Sequence, residues 1–231
     1  MQRLCELVAS VRLAHPSDHF FNALDETLRT SRHARAQYRA YERAFSAIDA
    51  SSWLELKRKA VKHFPDHRDG QLKQGFFNQL NDAFAYQHLL RKGHSHVRVL
   101  RETGNTCPDL SYRDAGVQKF CEVKSLGISE QEIQRRDQSG ILHMSSYSHL
   151  PEGFLRKLDT ALTKAGDQIA SQDAGGLVFI VVACDDFTLT HYRTYRAQIM
   201  RRILSHAVAE VVVKVGLAGT RRITKPKLKP E

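Results

Sequence analysis

The order of apolar and polar positions separates a helical first third of the chain from an alternating remainder. Over residues 1–70 the apolar positions recur at helical spacing. Tyr38, Tyr41, Phe45 and Ile48 follow one another at three, four and three positions, which places them on one stripe of a helix. Pro65, Asp66, Asp69 and Gly70 interrupt that rhythm, so a boundary is expected near residue 70. Leu72 to Lys92 reads as one long helix, closed by Gly93 in the position of a left-handed C-cap. Val97–Leu100 is a short apolar strand, Pro108–Arg113 leads into a turn at Asp114-Ala115-Gly116, and Val117–Ser125 is a further strand. Residues 126–150 are polar, with Gly127, Gly140 and several serines, and fit a long loop or a broken helix. Pro151 opens a helix to Gln172 with Phe154, Leu155, Leu158, Leu162 and Ile169 turned inward. Leu177–Cys184 is apolar without a break, the pattern of a strand covered on both faces. A helix over Tyr192–His206 and a strand over Val208–Val215 follow.

From residue 72 the order is thus helix, strand, strand, strand, helix, strand, helix, strand. It predicts an α/β fold with a mixed sheet and helices on its faces, antiparallel at the hairpin and parallel across the helical crossovers. Three parts are expected: a helical arm over 1–70, an α/β domain over 71–217, and a basic, proline-punctuated flexible tail over 218–231.

Composition removes whole classes of protein. Apolar residues at 42% and charged residues at 26% exclude a disordered or collagen-like chain. The longest apolar run, nine residues from Gly176 to Cys184, is too short for a membrane helix. The first residues carry an acid early and no apolar core segment, so neither a secretory signal nor a membrane partner is expected. Cys5, Cys107, Cys121 and Cys184 are scattered without a CxxC, which suits a reduced, cytoplasmic chain.

Charge narrows the partner. Lys and Arg exceed Asp and Glu by 35 to 25, an imbalance that suits a polyphosphate. Arg32, Arg35, Arg39 and Arg43 recur at helical spacing, and Lys57, Arg58, Lys59 and Lys62 form a second basic cluster. Either a solvated helix face or a phosphate-tracking face accounts for the arginines, and the arm as a whole fits either a DNA-binding or dimerising appendage or a cap packed on the core.

Candidate chemistry lies on the hairpin. Glu122 and Lys124 are two apart on a strand, so their side chains leave the same face. With a two-residue loop at Ala115-Gly116, Asp109 falls opposite Glu122, with Cβ atoms about 4.5–5.5 Å apart. A three-residue loop with a glycine bulge would shift that register by about one residue. Facing carboxylates repel unless a cation lies between them, and Mg²⁺ is held by one or two carboxylates plus water. A lysine beside such a centre can orient water or offset developing negative charge. These are the parts needed to hydrolyse a phosphodiester.

Pro108-Asp109, twelve intervening residues and Glu122-Val123-Lys124 resemble the signature of the PD-(D/E)xK nuclease superfamily, which has the restriction-endonuclease-like fold. The stretch from Asn81 and Asp82 to Gly93-His94 resembles that family's first core helix, and its αβββαβ core corresponds to residues 72–184. The resemblance implies that Asp109 and Glu122 bind Mg²⁺, with Mn²⁺ able to substitute. The Val123 carbonyl and Asp82 would assist, and Lys124 would be the catalytic lysine. Gln168 matches a position where several such families carry a polar residue near the site. A second ExK, Glu55-Leu56-Lys57, and a second Pro-Asp, Pro65-Asp66, stand in the wrong order. On a helix Glu55 and Lys57 would also be about 200° apart.

The function expected from the resemblance is an endonuclease acting on DNA. Two alternatives stay open: a catalytically silent nucleic-acid-binding module of the same fold, and an RNA-cleaving effector. The basic clusters, with Arg32, Arg35, Arg39, Arg43, Lys57 and Lys59, are the expected nucleic-acid contacts. A homodimer would supply the two sites that cutting both strands requires.

Overall fold

Apolar faces at helical spacing and apolar strands at two-residue spacing become the two parts of this fold. The computed structural model describes residues 1–67, 73–102, 107–127, 147–172, 175–183, 188–208, 210–219 and 221–225. Most of the polar segment expected over 126–150 lies outside them. The chain divides into two units, Met1–Val117 and Gln118–Glu231.

The first unit carries α1 (Gln2–Ala14), α2 (Leu24–Thr30), α3 (Arg32–Phe45), α4 (Ala50–Lys62), α5 (Gln74–Leu80) and α6 (Asp82–Arg91), then β1 (Ser95–Val99) and β2 (Leu110–Asp114). Short polar side chains start two of the helices. The Ser31 hydroxyl accepts from Ala34 N at 3.1 Å, and Asp49 Oδ1 accepts from Ser51 N and Ser52 N at 3.0 and 3.1 Å, each satisfying amides that a helix start leaves open. The expected stripe on α3 is buried at Tyr41, Phe45 and the following Ile48. Within the arm α3 packs on α1 and α2, and it packs equally on α6, as α4 does on α5 and β1, with Tyr41 OH donating to Asn81 Oδ1 at 3.0 Å. The boundary expected near residue 70 is therefore corrected: the arm shares its core with the next two helices and strands. The single helix expected over 72–92 is also corrected, because a turn at Asn81 separates α5 from α6.

β1 and β2 pair antiparallel, with an irregularity between Ser95 and Arg98. His96, in that irregularity, has a φ of 51°. The turn after β2 has φ of 48° at Ala115 and 85° at Gly116, and the chain is extended again from Val117. Two central residues at positive φ make this the two-residue type I′ loop, not the three-residue alternative.

The second unit carries β3 (Val117–Leu126, its first residue belonging to the first unit), α7 (Glu152–Ala170), β4 (Gly176–Val182), α8 (Tyr192–Ser205), β5 (Glu210–Val215) and β6 (Arg222–Thr224). β3, β4 and β5 run parallel, and β6 is antiparallel to β5. The long apolar run is β4, buried from Leu177 to Val182 as expected. Val178, Ile180 and Val182 form one cluster with Val211, Val213 and Val215, covered by Leu158, Leu162 and Ile169 of α7 and by Tyr195, Ile199 and Ile203 of α8. α7 and α8 thus cover the same sheet face. The tail expected over 218–231 is corrected in part: Arg222, Ile223 and Thr224 form β6, and Ile223 is only 1% exposed. Within the second unit β3 to β6 follow sequence order in a mixed sheet, an α/β fold. No helix among the described residues is long and apolar enough to cross a membrane.

Candidate active site

The residues singled out in the sequence fall into two groups, one in each unit. In the first, Asp82 stands at the start of α6 and Asp109 just before β2. Both turn to a cation that sequence reading had placed elsewhere. Lys59 Nζ of α4 donates to Asp82 Oδ2 at 2.9 Å and to Asp109 Oδ1 at 3.2 Å. Lys59 is 1% exposed and Asp82 2%, while Asp109 keeps 22% of its side-chain surface.

Lys59 was expected among the nucleic-acid contacts, and that assignment is corrected by its burial. The signal was present in the helical period: Ser52, Trp53, Leu56, Lys59 and Ala60 are the buried positions of α4, so Lys59 belongs to the apolar stripe and not to the solvated face. Near the same group, Glu102 receives Lys62 at 2.5 Å and His63 at 3.0 Å. Burial pushes the Glu102 carboxyl up, but Lys62 and His63 outweigh it and hold it below its usual range.

The charges of the first group oppose one another. Burial disfavours the Lys59 ammonium, yet the carboxylates of Asp82 and Asp109 outweigh it and hold its proton more firmly than in water. Burial likewise pushes Asp82 up. Lys59 pulls it back and Asp109 pushes it further, and the net displacement is upward, to about 7. The ammonium thus stays charged, and Asp82, the more deeply buried acid, is the one that most readily holds a proton.

Two carboxylates that meet on one nitrogen also fit a hard divalent cation, which takes one or two carboxylates with water. Among the described residues no group of three or more His, Cys, Asp or Glu side chains is arranged to hold a metal ion.

The second group lies on β3. Glu122 pairs with Val178 and Lys124 with Ile180 in the parallel register, so both leave the face covered by α7. There Lys124 Nζ donates to Glu122 Oε1 at 2.6 Å and to Gln168 Oε1 of α7 at 2.7 Å. Glu122 is 3% exposed, and a buried carboxylate of this kind needs an opposite charge beside it. Gln168 follows the inward Ala165 by three positions and precedes Ile169, which brings it to the helix side nearest the sheet. Val123 is buried on the opposite face.

The basic residues of the arm separate by environment. Arg32, Arg39 and Arg43 are exposed on α3, whereas Arg35 is half-buried and donates to the Arg29 carbonyl at 2.9 Å. Lys57 is half-buried and paired with Glu6 at 2.9 Å. The His94 ring lies tilted against Tyr112 with centroids 4.8 Å apart and meets Asp114 at 3.3 Å, while His96 is exposed.

Compared with family models, with curated proteins and with solved structures, the chain matches none.

Proposed function

We propose that this chain is a metal-dependent endonuclease of the PD-(D/E)xK kind, hydrolysing the phosphodiester backbone of nucleic acid, with DNA as the first substrate to test. The observation that carries the reading is the convergence of Asp82 and Asp109, from separate elements, on one cationic nitrogen. A strand that sets Glu122 and Lys124 in contact supports it.

In this reading Asp82 and Asp109 would hold Mg²⁺ or Mn²⁺, and the resemblance adds Glu122 and the Val123 carbonyl as ligands. Such an ion supplies charge that eases proton loss from water and offsets charge on a phosphoryl oxygen. Lys124 would orient the attacking water and meet the negative charge that builds on the scissile phosphate. Gln168, by accepting from Lys124, would fix the direction in which the ammonium points. Arg32, Arg39 and Arg43 would meet the backbone, a sequence-independent contact that weakens with salt.

A second reading is a silent nucleic-acid-binding module of the same fold. The Lys59 ammonium already bonded to both carboxylates favours it.

Purified protein incubated with supercoiled plasmid separates the two. Nicking that needs Mg²⁺ or Mn²⁺, stops with EDTA and is lost by about a hundredfold or more in Asp109→Ala and Lys124→Ala is the expected outcome. Equal behaviour of all three proteins, with DNA retarded in a gel, would sink the enzyme reading and leave the module.

A further inference from the structure

Lys59 reaches Asp82 and Asp109 from a helix held at both ends by side-chain contacts. At its start, Asp49 accepts from Tyr86 OH at 2.7 Å and pairs with Arg98 at 2.8 Å. One turn on, Ser52 Oγ accepts from Val99 N at 3.2 Å. At its end Lys62 and His63 both meet Glu102. The ammonium is therefore delivered to the carboxylates by the fold, and only its four-carbon stem is free to withdraw.

Two carboxylates on one centre, Asp82 buried and Asp109 half-buried, require a positive partner, and here an internal side chain supplies it. A divalent ion joining the same oxygens with Lys59 in place would set like charges within a few ångströms in a region of weak screening. One must leave. On the nuclease reading, on which this rests, we infer that the Lys59 ammonium occupies the divalent cation's place at Asp82 and Asp109, so that metal and lysine compete for it. Lys59 is then a positioning residue: it keeps the two acids together while the ion is absent and sets how much Mg²⁺ is needed to load the site.

The test is Mn²⁺ affinity by calorimetry on the full chain, beside Lys59→Met and Lys59→Gln. Loss of the internal competitor is expected to tighten Mn²⁺ binding by about tenfold or more, and adding Asp109→Asn to either variant should abolish the gain. Equal or weaker binding in the variants overturns the inference.

Should neither variant fold, the unaltered chain gives the answer. Its Lys59 is shielded from amine-modifying reagent, and saturating Mn²⁺ should raise its labelling severalfold by mass spectrometry. Unchanged shielding overturns the inference. The two claims fail separately: tighter Mn²⁺ binding without plasmid nicking removes catalysis and keeps the competition. Nicking with unaltered affinity does the reverse.

Discussion

A buried acid that resists ionisation leaves a mark on stability as pH changes, and Asp82 is such an acid. Burial lifts its carboxyl to about 7 against the pull of Lys59, whereas in the unfolded chain it lies near the usual value of about 3.9. Between those limits the folded chain holds a proton that the unfolded chain has released. The contribution is complete on the acidic side and is lost as pH rises through the folded value. The melting temperature should therefore fall by several degrees across that window through this residue alone, at roughly 2–4 °C per kcal/mol for a chain of this size. Asp82→Asn, which has no proton to lose, should flatten the profile. A slope identical in the two proteins, followed by circular dichroism, rules out Asp82 as its source. Lys59 has the same sign in a different window: its proton is held more firmly than in water, so its contribution persists through neutral pH and is lost only in alkali.

At the level of elements, much of the second unit was legible before the fold was seen. The unbroken apolar run gives β4 and the inward residues of the 152–172 segment give α7, each to within a residue or two. Alternation on β3 was enough to put Glu122 beside Lys124. What was not legible depended on partners distant in the chain. Lys59 stands in a run of cations, and only the fold shows two acids waiting for it. The break at Asn81 follows no glycine or proline; its side chain is taken by Tyr41, forty residues earlier.

The parallel pairing of β3 with β4 also depends on a residue that sequence reading passed over. Gly176 lies opposite Phe120, where a Cβ would come within 2.1 Å of the Phe120 carbonyl oxygen and 2.9 Å of Ile169 Cγ2. Since the obstacle is backbone, Gly176→Ala should cost about 1–3 kcal/mol or more. Gly153→Ala, in the first turn of α7 with nothing within 4 Å, should instead be neutral or gain up to about 1 kcal/mol. Urea midpoints of the two variants check both signs, and a neutral Gly176→Ala would mean the strands can part there at little cost.

For the molecule as a whole, its last strand matters more than its length suggests. β6 is three residues at the end of the sheet, held by Ile223 in the core and by Lys225 Nζ donating to the carbonyls of His206 and Val208 at 2.6 and 2.7 Å. Beneath it β5 is four valines and one lysine after Glu210, and that lysine is folded back on the carbonyls of Gly216, Leu217 and Gly219. Stripped of its neighbour, such a strand would offer open amides and carbonyls beside an uncharged, β-branched surface, a template for other chains to add to. A protein ending at Gly219 should accordingly scatter light and sediment at concentrations where the full chain remains dispersed, and equal dispersal would remove this role from β6. The same few basic residues that read as a loose tail thus serve as a guard against self-association, ending the sheet with a short, charged border to which a further strand is poorly matched.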